Sequence, residues 1–158
     1  GAGIIMAGIY KAYDIRGIYP SELNEELAGK IGQAFGTLKK GKILLATDVR
    51  KSSPALKAAA LEGLLSTGAT VVDAGILSTP AAMFAVRNFG MDAGIMITAS
   101  HNPPEYNGIK LFDKGGMPMS YETGIGKIEE LVALGKFSSG AGRIEKISVD
   151  ADYIRHKN

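Results

Sequence analysis

Three apolar runs, each separated from the next by a helix-like stretch, constrain the fold of this chain more than any other feature. Lys42-Ile43-Leu44-Leu45-Ala46-Thr47 is apolar without a break from Ile43 to Ala46, as in a strand covered on both faces of an α/β sheet. Ala69-Thr70-Val71-Val72-Asp73-Ala74-Gly75 and Ala93-Gly94-Ile95-Met96-Ile97 follow. Between them lie two helix signals. One runs from Pro54 to about Ser66 with proline near its first turn; the other opens on Ser78-Thr79-Pro80 and reaches about Asn88, closed by Gly90. Strand and helix alternating in this order predict an α/β fold with right-handed crossovers.

Two further elements extend this frame. Leu23, Leu27, Ile31, Phe35 and Leu38 recur every three to four residues, so an earlier helix, capped by Asn24 or Ser21 and with Glu25 and Glu26 in its first turn, lays one stripe on the core. Its Gly29, Gly32 and Gly36 lower helix propensity and point to close packing against a neighbouring element. Ile109-Lys110-Leu111-Phe112 reads as a fourth strand. The link from Thr98 to Ile109 is too short for a crossover helix, so this strand should run antiparallel to its predecessor. The expected architecture is three layers, α/β/α, around a mixed, mostly parallel sheet of four main strands. Tyr10 to Gly17 reads as a strand end or loop, Tyr121 to Ala133 as a final amphipathic helix, and the Ser- and Gly-rich Lys136 to Arg143 as a flexible loop.

At 158 residues the chain is about one domain long. Its net charge of +2 is too small to argue for nucleic acid or a membrane surface as partner. With no cysteine there is no disulfide, thiolate zinc site or cysteine nucleophile, which fits a reducing cytoplasm. The first residues are apolar but lack a basic flank and are too short to span a bilayer. Gly1 to Ile5 read as an expression remnant before a true start at Met6.

Chemistry concentrates in the loop Thr98-Ala99-Ser100-His101-Asn102-Pro103-Pro104-Glu105-Tyr106-Asn107-Gly108. It offers a hydroxyl, an imidazole, amides and a phenol, stiffened by two consecutive prolines. A plain connector between strands needs only Gly, Asn or Asp at its corners. A Ser-His pair alone decides nothing, because neighbours in sequence project differently, and Ser100 can serve as a turn residue and His101 as a carbonyl-satisfied histidine.

The stretch as a whole is more specific. Thr98-Ala99-Ser100-His101-Asn102-Pro103 resembles, without a gap, the active-serine motif of the α-D-phosphohexomutases, the phosphomannomutase and phosphoglucomutase family. Tyr13-Asp14-Ile15-Arg16-Gly17 is similar to that family's N-terminal signature, and Asp48-Val49-Arg50-Lys51-Ser52 to its Asp-x-Arg-x-Ser stretch. The resemblance implies that Ser100 is a phosphoserine. It would exchange its phosphoryl group with a hexose phosphate through a bisphosphate intermediate, so that sugar 1- and 6-phosphates interconvert in carbohydrate metabolism. A covalent phosphoenzyme divides one hard transfer into two in-line displacements.

The same resemblance assigns further roles. Arg16 would lie beside the phosphoserine, where a planar guanidinium suits phosphate oxygens. Lys110 would reach the active serine, either neutralising charge or donating a proton. His101 would complete the catalytic group, Arg50 would help organise the catalytic groove, and Arg50, Asn102 and Tyr13 would bind substrate or phosphate. A Mg²⁺ would be held partly by Ser100 and partly by an Asp-rich loop of another domain. Blander readings stand beside these: Arg16 as an ion-pair partner of Asp14, Ser52 or Ser53 as a helix cap with Asp48 paired to Arg50, and Lys110 as an edge-strand lysine.

Family members have four domains, and the resemblance covers only the first, over residues 6–150. Residues 151–158, with an Asp-x-Tyr segment, would start the linker to a second. On that reading hexose phosphates and the remaining domains are the partners, and the domain alone is close to inactive. One alternative is a non-catalytic module that binds a phosphosugar or phosphate. Another, a serine hydrolase, ranks far behind, because there is no Gly-x-Ser-x-Gly elbow and the second histidine, His156, lies in the terminal tail.

Overall fold

The computed structural model describes residues 8–149. The suggested remnant at 1–5, the start at Met6, and the linker at 151–158 with His156 lie outside the described residues. Six strands and four α-helices build the fold: β1 Ile15–Ile18, α1 Glu25–Leu38, β2 Lys42–Thr47, α2 Ser53–Ser66, β3 Thr70–Ile76, α3 Thr79–Asn88, β4 Ala93–Ile97, β5 Tyr106–Phe112, α4 Gly126–Leu134 and β6 Arg143–Lys146. A single π-turn, Tyr121–Ile125, precedes α4. No helix among the described residues is long and apolar enough to cross a membrane.

The strands form one mixed sheet in the order β1-β5-β4-β2-β3-β6. β4, β2, β3 and β6 run parallel, while β5 lies antiparallel to both β4 and β1. The α/β class and the antiparallel return after the serine loop are as expected, but the sheet has six strands rather than four. The two added strands are its edges. β1 mixes charge with apolar residues in four positions, and β6, Arg-Ile-Glu-Lys, is largely exposed. Both are only four residues long, too short for a pattern to declare a strand in sequence, so pairing to β5 and β3 defines them.

Alternation along the strands divides the core into two layers. Ile43, Leu45, Ile95, Ile97, Ile109 and Leu111 face α1, α2 and the last helix, where Ile31, Phe35, Leu56 and Ile128 are fully buried. Leu44, Ala46, Val72, Met96 and Phe112 face the other way, onto Ala82, Ala85 and Val86 of α3. Each Leu or Ile so buried contributes roughly 1.5–3 kcal/mol before chain entropy is counted.

Local signals place the helices. Asn24 caps α1, its Oδ1 accepting the Leu27 N–H at 3.0 Å, and Ser78 caps α3 through the Ala81 N–H at 3.2 Å. The α1–α2 contact is backbone to backbone: a Cβ on Gly32 would collide with the Ala60 carbonyl, and one on Gly63 with the Gly29 carbonyl. The expected loose loop after α4 is instead stapled. The Ser138 N–H donates to Thr37 Oγ1 at 2.9 Å and the Gly140 N–H to the Ser66 carbonyl at 3.0 Å. Its small residues therefore permit close passage over the ends of α1 and α2.

Candidate active site

The serine loop leaves β4, all five residues of which are buried, and returns as β5. Its conformation is set by short-range hydrogen bonds. Thr98 donates its N–H to the Gly108 carbonyl at 2.9 Å, and Thr98 Oγ1 accepts the Ser100 N–H at 3.0 Å. Ser100 itself is exposed and sits at φ 55°, the left-handed region. For a residue with a Cβ this costs on the order of 1–2 kcal/mol, so the surroundings must enforce it. The Asn102 N–H and its side-chain Nδ2 both donate to the Ala99 carbonyl, at 3.0 and 2.7 Å, closing the turn around the serine.

A second loop, between β2 and α2, reaches across to this one. Arg50 Nη1 donates to the carbonyls of Pro103 (2.7 Å) and Tyr106 (3.2 Å), and Nη2 to those of Ser100 (3.0 Å) and Asn102. Its Nε lies 3.7 Å from Asp48 Oδ2. Asp48 Oδ1 accepts from Ser53 Oγ and from the Arg50 N–H. Fully buried Asn107 donates to Ser52 Oγ at 2.8 Å and Ser53 Oγ at 3.0 Å. Asp48 is thus paired with Arg50, while Ser52, at the N-cap position of α2, makes no side-chain capping bond.

The third contribution comes from β1 and β5. Their antiparallel register sets Arg16 opposite Gly108, and the missing side chain lets the arginine cross: a Cβ on Gly108 would lie 3.0 Å from Arg16 Cγ. Arg16 Nη1 then reaches Asn102 Oδ1 at 3.3 Å, and its Nε donates to Asp14 Oδ1 at 3.0 Å. Lys110 Nζ stands 3.7 Å from the other oxygen of the same carboxylate. Asp14 is therefore a shared counter-ion for two cations that sequence places far apart. A pocket of about 410 Å³ opens beside them, lined by Lys11, Arg16, Asn102, Pro103 and Tyr106 among others. An adjoining hollow of about 430 Å³ includes Ser100, Thr98, Arg50 and Val49.

Of the residues picked out from sequence, Ser100, Asn102, Arg50 and Arg16 meet through hydrogen bonds, and Lys110 joins them through Asp14. Tyr13 does not: it is 64% exposed and lines a different hollow, with Ser120, Tyr121 and Glu122. His101 is exposed and makes no hydrogen bond or ion pair among the described residues. Asp14, Asn107 and Gly108 are not among the site residues read from sequence, although all three lie inside the quoted stretches and Asp14 stands there as a partner of Arg16. The reach of Asp14 to Lys110 and the contacts of Asn107 and Gly108 are fixed by strand pairing and loop crossing that sequence spacing does not reveal. Among the described residues no group of three His, Cys, Asp or Glu converges as a metal site. Ser100 by itself offers one oxygen, so these residues do not assemble a Mg²⁺ site.

Comparison with known proteins supports the resemblance carried by the motifs. The family model described as phosphoglucomutase/phosphomannomutase, alpha/beta/alpha domain I, matches residues 8–138. A phosphomannomutase of Escherichia coli is 43% identical over 152 residues, which are 93% of this chain and 33% of that protein. One of Klebsiella pneumoniae is 42% identical over 150 residues, 92% of this chain and 96% of that sequence. In structure, a phosphoglucomutase/phosphomannomutase family protein from Burkholderia thailandensis superposes with a TM-score of 0.82 at 34% identity, covering 93% of this chain and 34% of that one. The chain thus spans about a third of the length of most of these relatives. With a family model matched over residues 8–138 and relatives above 40% identity across more than nine-tenths of the chain, the chain belongs to the phosphoglucomutase/phosphomannomutase family, as its α/β/α domain I.

Proposed function

We propose that this domain carries the phosphoryl-accepting serine of a hexose-phosphate mutase and works together with further domains of the same enzyme. The observation that carries this reading is the presentation of Ser100, exposed in a left-handed turn whose Asn102 side chain accepts from Arg16, an arginine held together with Lys110 on one carboxylate. A charge-bearing group is best transferred where cations are already oriented, because nothing then has to reorganise during the reaction.

In the proposed cycle a hydroxyl of the hexose phosphate attacks the phosphorus of phospho-Ser100 in line. The new O–P bond forms as the bond to Ser100 Oγ breaks. The hydroxyl proton is removed and one proton is taken up by the leaving serine oxygen, so the step balances. The return transfer from the other position of the sugar bisphosphate restores phospho-Ser100. Arg16, steered by Asn102 and Asp14, would bind the oxygens of the transferring group, and Lys110 would add positive charge from β5. Ser100 would supply one ligand of a Mg²⁺ whose other ligands would come from a further domain, and the ion would add positive charge at the transferring group. The phosphomannomutase names of the relatives support hexose phosphates as the substrate class.

The test is Ser100→Ala in the complete polypeptide that carries this domain. Mutase turnover should vanish while circular dichroism and thermal stability stay as in the parent. Undiminished turnover of the alanine variant rules out the phosphoserine.

A further inference from the structure

Of the two roles that the resemblance implies for Arg50, organising the catalytic groove and binding substrate or phosphate, its surroundings favour the first, because its donors are already used. A guanidinium has five N–H groups in a rigid planar fork. Four serve the carbonyls of Ser100, Asn102, Pro103 and Tyr106, and Nε faces Asp48. These carbonyls run from Ser100 to Tyr106, the first residue of β5, so one rigid group fixes the spacing between the serine turn and the returning arm of the loop. The Ser100 carbonyl is among them, at the one described non-glycine residue with positive φ.

The arginine is itself held. Asp48 accepts its N–H and pairs with its Nε, and Ser53 locks that carboxylate from the first turn of α2. The same serine, with Ser52, takes the amide of buried Asn107, where the loop rejoins the sheet. The β2–α2 loop thus grips the serine loop at its tip through Arg50 and at its base through Asn107.

We propose that Arg50 is a positioning residue, which sets the left-handed backbone of Ser100 through the four loop carbonyls rather than binding phosphate. For its catalytic consequence this rests on Ser100 being the phosphoryl acceptor; the structural claim stands apart from it. Lysine cannot replace it, because an ammonium keeps the charge but has three donors on one atom and cannot bridge four carbonyls.

Arg50→Lys and Arg50→Ala test this in two measurements. In the 158-residue chain, amide hydrogen exchange at Ser100, Asn102 and Tyr106 should quicken by at least about tenfold in both variants, while Leu45 and Ile95 in the sheet keep their protection. In the complete polypeptide, kcat should fall roughly 10- to 100-fold with KM for hexose phosphate within about twofold, as expected when a reacting group is misplaced. Added guanidinium ion should restore part of the kcat of Arg50→Ala. If that variant does not fold, Arg50→Lys supplies both readouts. Unchanged loop exchange with a raised KM would make Arg50 a phosphate ligand and overturn the proposal. A parent enzyme without mutase turnover would remove the kinetic arm and the mutase reading together, and the exchange result would still decide the role of Arg50.

Discussion

Between α1 and α2, glycines let two helices meet carbonyl to backbone, with no side chain directing the contact. Around Ser100 there is no regular structure, and two arginines, two asparagines, two carboxylates and the Thr98 hydroxyl hold the chain alongside its backbone bonds. The first region is held by shape and is indifferent to charge; the second is held by donors and acceptors and tolerates little change in either. Shape-held regions fail through steric overlap, whereas the bonded loop should fail through local loosening with the fold intact.

The steric side can be broken hardest. Gly63→Ala places a methyl group against the Gly29 carbonyl and Gln33 nitrogen, and should cost about 3 kcal/mol, at the upper end for overpacking. Thermal unfolding reads this as a marked drop in midpoint, with exchange at Ser100 and Asn102 changing only as much as the whole domain.

Next comes alkaline pH, where the scaffold's contribution comes through Tyr10. Burial, helped by the negative charge of Glu129, raises the Tyr10 phenol to about 12. A folded value above the unfolded one near 10 means that stability is complete below about pH 10 and lost between about pH 10 and 12, by roughly 2 to 3 kcal/mol. Tyr10→Phe should flatten that part of the stability profile, followed by urea melts from pH 8 to 12.

On the bonded side, Asp14→Asn removes the carboxylate shared by Arg16 and Lys110 without changing size. Domain stability should move by less than about 1 kcal/mol, since both cations are partly exposed. Turnover of the complete enzyme should fall about tenfold, as the two cations lose their common anchor. Equal losses of stability and turnover would mean that Asp14 belongs to the scaffold instead.

The smallest effect concerns an ion pair that belongs to neither region. Burial alone would raise the Asp73 carboxyl, but the hydrogen bond from Lys57 at 2.8 Å, the Gly75 N–H and the charges of Lys57 and Lys146 outweigh it and hold the value below normal. Its contribution is therefore present above about pH 4 and lost as pH falls through the depressed folded value. Lys57→Met should lower neutral-pH stability by about 1 kcal/mol or less and leave the loop's exchange untouched.

The shape-held region was also the more legible in sequence. Asn24 and Ser78 declare their helices by local capping, and the apolar runs of β2 and β4 declare buried strands, because those signals act within a few residues. β1 and β6 were hidden because a four-residue edge strand has no periodicity of its own. In the site, Ser100 was found through a contiguous motif. Asp14 as shared counter-ion depends on the β1–β5 register, and the grip of Arg50 depends on two loops crossing; neither is written in spacing along the chain. Tyr13, placed with the site by motif alone, lines another hollow with Ser120, Tyr121 and Glu122.

The most direct measurement is intact-mass and peptide mass spectrometry of the complete polypeptide after incubation with a hexose 1,6-bisphosphate and Mg²⁺. The account predicts one added phosphoryl group, mapped to Ser100 and absent from Ser100→Ala. A folded protein that gains no phosphoryl group, or gains it at another residue, would contradict it.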